Sequence, residues 1–149
     1  MKNILILISL LVFSLNLNAQ QVRKIKSETF DDITVTLYKK STKKYLVKIA
    51  FPSEFGRESI WCDSKSVLYK IMDLILRADT RKGFHEIIHF EETINGKRFR
   101  EINIMIRHAK KSDYIGIGKL HSFKYGSNGV LRTNARSLYN YLDKLRRLL

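Results

Sequence analysis

Apolar and polar residues along this chain follow two rhythms, alternation with period two and recurrence every three to four positions. Ile33, Val35 and Leu37 alternate with Thr34, Thr36 and Tyr38, which predicts a strand over Asp32–Lys40 with one buried face. Lys44–Phe51 carries a second β-rich run, and Lys40-Ser41-Thr42-Lys43 reads as the turn of a hairpin between them. The more weakly patterned stretch before it, Gln21–Phe30, suits an edge strand. Pro52 cannot donate to a ladder, so the second strand is expected to stop there and residues 52–62 to form a connector.

The rhythm then changes. Val67, Ile71, Leu74, Ile75 and Ala78 fall at helical spacing, with Leu68, Met72 and Leu76 widening the stripe. So broad an apolar face predicts a helix packed on a sheet rather than one lying on a membrane. Asp63 or Ser64 is placed to cap its start. Arg81 and Lys82 suit its C-terminal dipole, and Gly83 a left-handed stop. A last helix carries Leu138, Leu142, Leu145 and Leu149 on one side with Tyr141 beside them, and Thr133 or Asn134 as its cap.

Between the helices, Phe84–Ile94 and Lys97–Arg107 flank Asn95-Gly96, the strongest short-range hairpin signal because both turn residues tolerate positive φ. A plain two-residue turn sets Ile88 opposite Asn103 and mixes apolar with charged residues on both faces. A bulge at Gly96 sorts them better, pairing Phe84 with Ile106, Ile88 with Ile102 and Phe90 with Arg100. Lys110-Lys111-Ser112-Asp113 predicts a further turn, and Tyr114–Phe123 a third consecutive strand; Tyr125–Gly129 follows as a loop. The order strands, helix, three-stranded meander, helix predicts an α+β fold. The expectation is one antiparallel sheet of about five to six strands with two helices on one face. No repeat, linker or low-complexity stretch interrupts it.

Composition changes this picture at the N-terminus. Met1-Lys2-Asn3, the apolar run Ile4–Leu15 and Leu17-Asn18-Ala19 follow the order of a secretory leader. The run is too short to span a bilayer, which needs about 20 residues. Residues 1–19 are expected to be cleaved, leaving a single domain, 20–149, exported to the periplasm or the medium, with no membrane-spanning segment in the mature chain. No cysteine directly follows the cut, which argues against a lipid anchor. The one cysteine, Cys62, reads as a small buried hydrophobe.

Candidate chemistry is sparse. His85-Glu86-Ile87-Ile88-His89 matches a zinc-peptidase string, but that string binds metal from a helix, where positions i and i+4 share one face a turn apart. On a strand the two histidines stand about 13 Å apart, too far for one ion. Gly116-Ile-Gly-Lys119 lacks the spacing of a phosphate loop. Neither a metal nor a cofactor is expected, and no catalytic set is assigned.

Charge is the strongest remaining signal. There are 28 Lys and Arg against 14 Asp and Glu, a net +14 that falls to +13 when Lys2 leaves with the leader. The candidate binding residues are Lys39, Lys40, Lys43 and Lys44 at one turn and Lys97, Arg98 and Arg100 at another. Such a surplus points to an anionic envelope surface, an acidic polymer or an acidic protein. Nucleic acid fits the charge, with Tyr38, Tyr45, Tyr114, Phe123 and Tyr125 to stack on bases, but no nucleic-acid motif is present. The expectation is an exported, basic, non-catalytic binding domain. The alternative is a small secreted hydrolase, nuclease-like with two of His85, His89, His108 and His121, or a zinc peptidase using His85, Glu86 and His89. A third class is a structural or inhibitory protein whose sheet edge pairs with a partner.

Overall fold

The computed structural model describes residues 22–40, 44–53, 56–94, 97–120 and 129–149, with backbone alone for 90–94 and 97–100. The leader and the middle of the first predicted turn, with Lys43, lie outside the described residues.

Four strands, β1 (Arg23–Phe30), β2 (Ile33–Lys39), β3 (Tyr45–Ser53) and β4 (Gly56–Cys62), form one antiparallel meander. Helix α1 (Lys65–Thr80) follows. A second meander, β5 (His85–Ile94), β6 (Lys97–His108), β7 (Ile115–Lys119) and β8 (Gly129–Leu131), leads to helix α2 (Ala135–Arg146). The α+β class stands. The single sheet of five to six strands is replaced by two four-stranded sheets, and the order of four strands and a helix occurs twice.

One of the additional strands is β4, in the stretch expected to be a connector. Its alternation is present, with Ile60 and Cys62 buried and Arg57, Ser59 and Trp61 at the alternate positions on the other face. Pro52 does not end β3, because it pairs with Arg57 while the β2–β3 ladder has already stopped at Thr34–Ala50. With no ladder left to serve on the β2 side, the missing N–H is tolerated. Gly56 opens β4 at φ +104, a conformation that strains any L side chain.

The central hairpin keeps neither expected register beyond its tip, and its bulge falls on β6 rather than at Gly96, which lies outside the described residues. Ile94 pairs with Lys97 as a plain turn requires, then the register shifts between Glu92 and Thr93, leaving Phe99 as the extra residue on β6. Ile88 therefore pairs with Ile104 and Phe90 with Ile102, two residues from the expected partners. A two-residue displacement keeps every side chain on its predicted face, so Ile88, Ile102, Ile104 and Ile106 are all buried. Glu86 shares that face at the sheet edge, where Arg77 of α1 meets it at 3.1 Å.

One core joins both sheets and both helices. Sheet one contributes Ile33, Val35, Leu37, Val47, Ile49, Phe51, Ile60 and Cys62. Leu68, Ile71, Met72 and Ile75 of α1 and Leu138, Leu142 and Leu145 of α2 pack into the same cluster. Ser64 caps α1, its hydroxyl accepting the Val67 N–H at 3.5 Å. The expected stop at Gly83 is displaced: Arg81 is the C-cap, and Gly83, at φ +83, donates its N–H to the His108 carbonyl instead. Between the sheets, Lys119 of β7 meets Glu58 of β4 at 3.7 Å, both half-buried.

Candidate functional site: the open face of the first sheet

Because strand side chains alternate, sheet one has a second face opposite the core. The pairing sets its residues in rows that run across the strands. One row is Thr29, Thr34, Ala50 and Ser59, the next Ser27, Thr36, Lys48 and Trp61, and the third Lys24, Tyr38 and Leu46. None of these positions is Asp or Glu. Arg57 reaches onto the first row, donating to the Thr34 hydroxyl at 2.9 Å and to the Asp32 carbonyl at 3.2 Å.

The face is partly dry and partly polar. Tyr38, Leu46, Lys48 and Trp61 are half-buried, while Lys24, Ser27, Thr29 and Arg57 are exposed. The Tyr38 and Trp61 rings pack at 5.3 Å between centroids, tilted by 46°. The Lys48 ammonium lies 5.1 Å from the Trp61 ring centre, where the negative π face attracts it. Hydroxyls pair across β1 and β2, Ser27 with Thr36 at 2.9 Å and Thr29 with Thr34 at 3.1 Å. The result is a surface bearing cations, hydroxyls and an aromatic pair.

The sequence-predicted basic residues stand around rather than on it. Lys39 and Lys44 are exposed at the end of the β2–β3 hairpin, with the Lys39 ammonium 5.9 Å from the Tyr45 ring centre. Lys40 is paired with Asp63 at 3.8 Å and its side chain is only 13% exposed, so it is the least available of the group. A cleft of about 360 Å³ between Lys40, Lys44, Tyr45, Asp63, Leu148 and Leu149 adjoins this end. Lys97, Arg98 and Arg100 belong to β6 of the other sheet, near the tip of its first hairpin, so the two predicted clusters sit on different sheets. Lys24, Lys48, Arg57 and Trp61 carry no local signal as a group, because only the pairing of β1 to β4 brings them together.

The described histidines do not converge. His85 and His89 are exposed on one face of β5, with His89 hydrogen-bonded to Asn103 across the ladder. His108 is buried, its Nδ1 2.7 Å from the Ala78 carbonyl and its Nε2 3.2 Å from that of Ser112. His121 lies outside the described residues. Residues 85–94 being a strand, the His-Glu-x-x-His string lacks the helical setting its chemistry requires. Among the described residues, no three His, Cys, Asp or Glu side chains are grouped to hold a metal, and no helix is long and apolar enough to cross a membrane.

The strongly hydrogen-bonded carboxylates belong to the frame. Burial pushes the Asp31 carboxyl up, but hydrogen bonds from Arg132, Asn134 and Thr133 outweigh it and hold the group below its ordinary range. Asp143 is held low by hydrogen bonds from Arg146 and Arg147. For Tyr141, burial and then the charge of Glu28 push the phenol up.

No protein-family model, curated protein or solved structure matches the chain.

Proposed function

We propose that this chain is an exported, non-catalytic binding domain for an anionic partner, with the open face of the first sheet as its contact surface. The observation that carries the reading is the charge of that face. Lys24, Lys48 and Arg57 project among hydroxyls and aromatic rings, and no acidic residue occupies its rows. Lys39 and Lys44 extend the positive field along one rim. A surface of one sign attracts an opposite partner over about a Debye length, some 8 Å at physiological salt.

The test is a salt titration of binding to a soluble polyanion and to anionic vesicles. Affinity should fall steeply with salt as counterions are released. A Lys24→Gln, Lys48→Gln variant should lower the slope by roughly one for each cation removed; joint neutralisation of Lys39, Lys40, Lys43 and Lys44 should lower it too, with Lys40, paired to Asp63, contributing least. Absence of binding to either ligand at about 0.15 M salt overturns the proposal. Export has its own check: mass spectrometry of the secreted form should find Gln20 at the N-terminus, whereas a species retaining Ile4–Leu15 would contradict it.

A further inference from the structure

We infer that the ligand of the open face is an acidic polysaccharide, a chain of sugar rings bearing carboxylates. The inference rests on the proposal that this face takes an anionic partner, and it names the chemistry of that partner.

Cations alone do not distinguish one polyanion from another, but the hydroxyls do. Ser27 pairs with Thr36, and Thr29 with Thr34, at 2.9 and 3.1 Å. Each hydroxyl has one donor and two acceptor sites, so although Thr36 is buried and Thr34 already accepts from Arg57, the exposed Ser27 and Thr29 leave both kinds of capacity open at the surface. A sugar hydroxyl has the same dual character. A phosphate backbone and a polycarboxylate side chain offer acceptors only.

The aromatic pair points the same way. Lys48 already lies against the Trp61 ring and Tyr38 is tilted 46° to it. A flat nucleobase finds no bare pair of parallel faces there. A saturated sugar ring presents C–H groups, weakly positive, which suit the exposed parts of both π surfaces. Carboxylates along the same chain meet Lys48, Lys24 and Arg57, the last held in place by Asp32 and Thr34.

The experiment compares four polymers at about 0.15 M salt: polygalacturonate, a neutral glucan, polyglutamate and single-stranded oligothymidylate. Polygalacturonate should bind about tenfold more tightly than the other three, and Trp61→Ala should remove about that factor. Trp61 is half-buried, so a second variant, Ser27→Ala with Thr29→Ala on the exposed edge strand, keeps the test independent of folding; it should weaken polygalacturonate and leave polyglutamate unchanged. Equal binding of polygalacturonate and polyglutamate, with no effect of Ser27→Ala/Thr29→Ala, overturns the polysaccharide assignment while the anionic reading stands. Preference for oligothymidylate overturns it in favour of nucleic acid. Binding to none of the polyanions overturns both.

Discussion

The carboxylate of Asp31, in the turn between β1 and β2, accepts the backbone N–H of Arg132 at 2.9 Å, joining residues 101 positions apart just before α2. The same carboxylate accepts the Asn134 side-chain amide at 3.1 Å. Next to it, the Asp32 N–H donates to the Val130 carbonyl, and the Asp32 carboxylate accepts the Val130 N–H, both at 3.3 Å. The β1–β2 turn thus clamps β8 and the first turn of α2. A negative group there also suits the positive end of the helix dipole.

Asp31→Asn keeps an acceptor oxygen but removes the charge, and should therefore destabilise the fold by about 0.3–1 kcal/mol, the usual worth of a negative group at a helix N-terminus. Asn tolerates the φ of 49° at this position, so backbone strain is not added. The pH dependence follows from the lowered carboxyl. Its stabilisation is fully present above the ordinary value of 3.8 and is lost as pH falls through the lower folded value. Denaturant titrations should show wild type and variant separated at pH 6 and converging below pH 3.8. A gap that persisted into strong acid would mean the carboxylate charge is not what holds the turn.

Gly129→Ala tests the packing between the sheets. A Cβ there would sit 2.8 Å from the Phe51 Cβ and closer still to the Ile33 side chain. Ile33 is fully buried and Phe51 is packed around the same point, so neither can withdraw freely. Overpacking of this kind costs about 1–3 kcal/mol. Thermal unfolding should register the loss; an unchanged midpoint would show that β8 can move off the first sheet.

The Asp31 clamp and the Gly129 approach also show what a sequence conceals. The apolar faces of β2, α1 and α2 are legible because period two and period 3.6 place residues without reference to the rest of the chain. The faces of the central hairpin are legible too, although its partners lie two residues away, since parity alone decides which side is buried. Asn134 is the N-cap residue its type predicts, yet its side chain makes no cap hydrogen bond, because Asp31, 103 positions earlier in the chain, serves that helix start. Pro52 breaks less than its type suggests, since whether its missing N–H matters depends on where the neighbouring strand ends. Tyr38 stands out in the sequence for its ring, but its neighbour Trp61 falls in a stretch that reads as a connector. The open face itself is a product of four-strand register, which no local pattern encodes.

His108→Leu should also destabilise, for a different reason. The ring lies between the Ala78 carbonyl at the end of α1 and the Ser112 carbonyl in the turn after β6. Removing the ring nitrogens takes a partner from the Ala78 carbonyl, which keeps only the longer bond from the Arg81 N–H at 3.4 Å, and from the part-buried Ser112 carbonyl, a loss of about 1 kcal/mol. His108→Gln, which keeps a donor amide, should recover part of it. If the two variants unfold together, packing volume rather than hydrogen bonding is what the ring supplies.

His85 and His89 lie four residues apart along β5, about 13 Å at the rise of an extended strand. Zinc–nitrogen bonds are about 2.0–2.1 Å, so no single ion bridges the two rings. Each has a different cross-strand neighbour, Arg107 for His85 and Asn103 for His89, and an arginine beside His85 repels a cation. After equilibration with zinc and gel filtration, elemental analysis should find well under one zinc per chain, and the His85→Ala, His89→Ala double variant should give the same figure. One equivalent of zinc in the wild type, lost in the double variant, would require this strand to refold as a helix and would restore the peptidase reading.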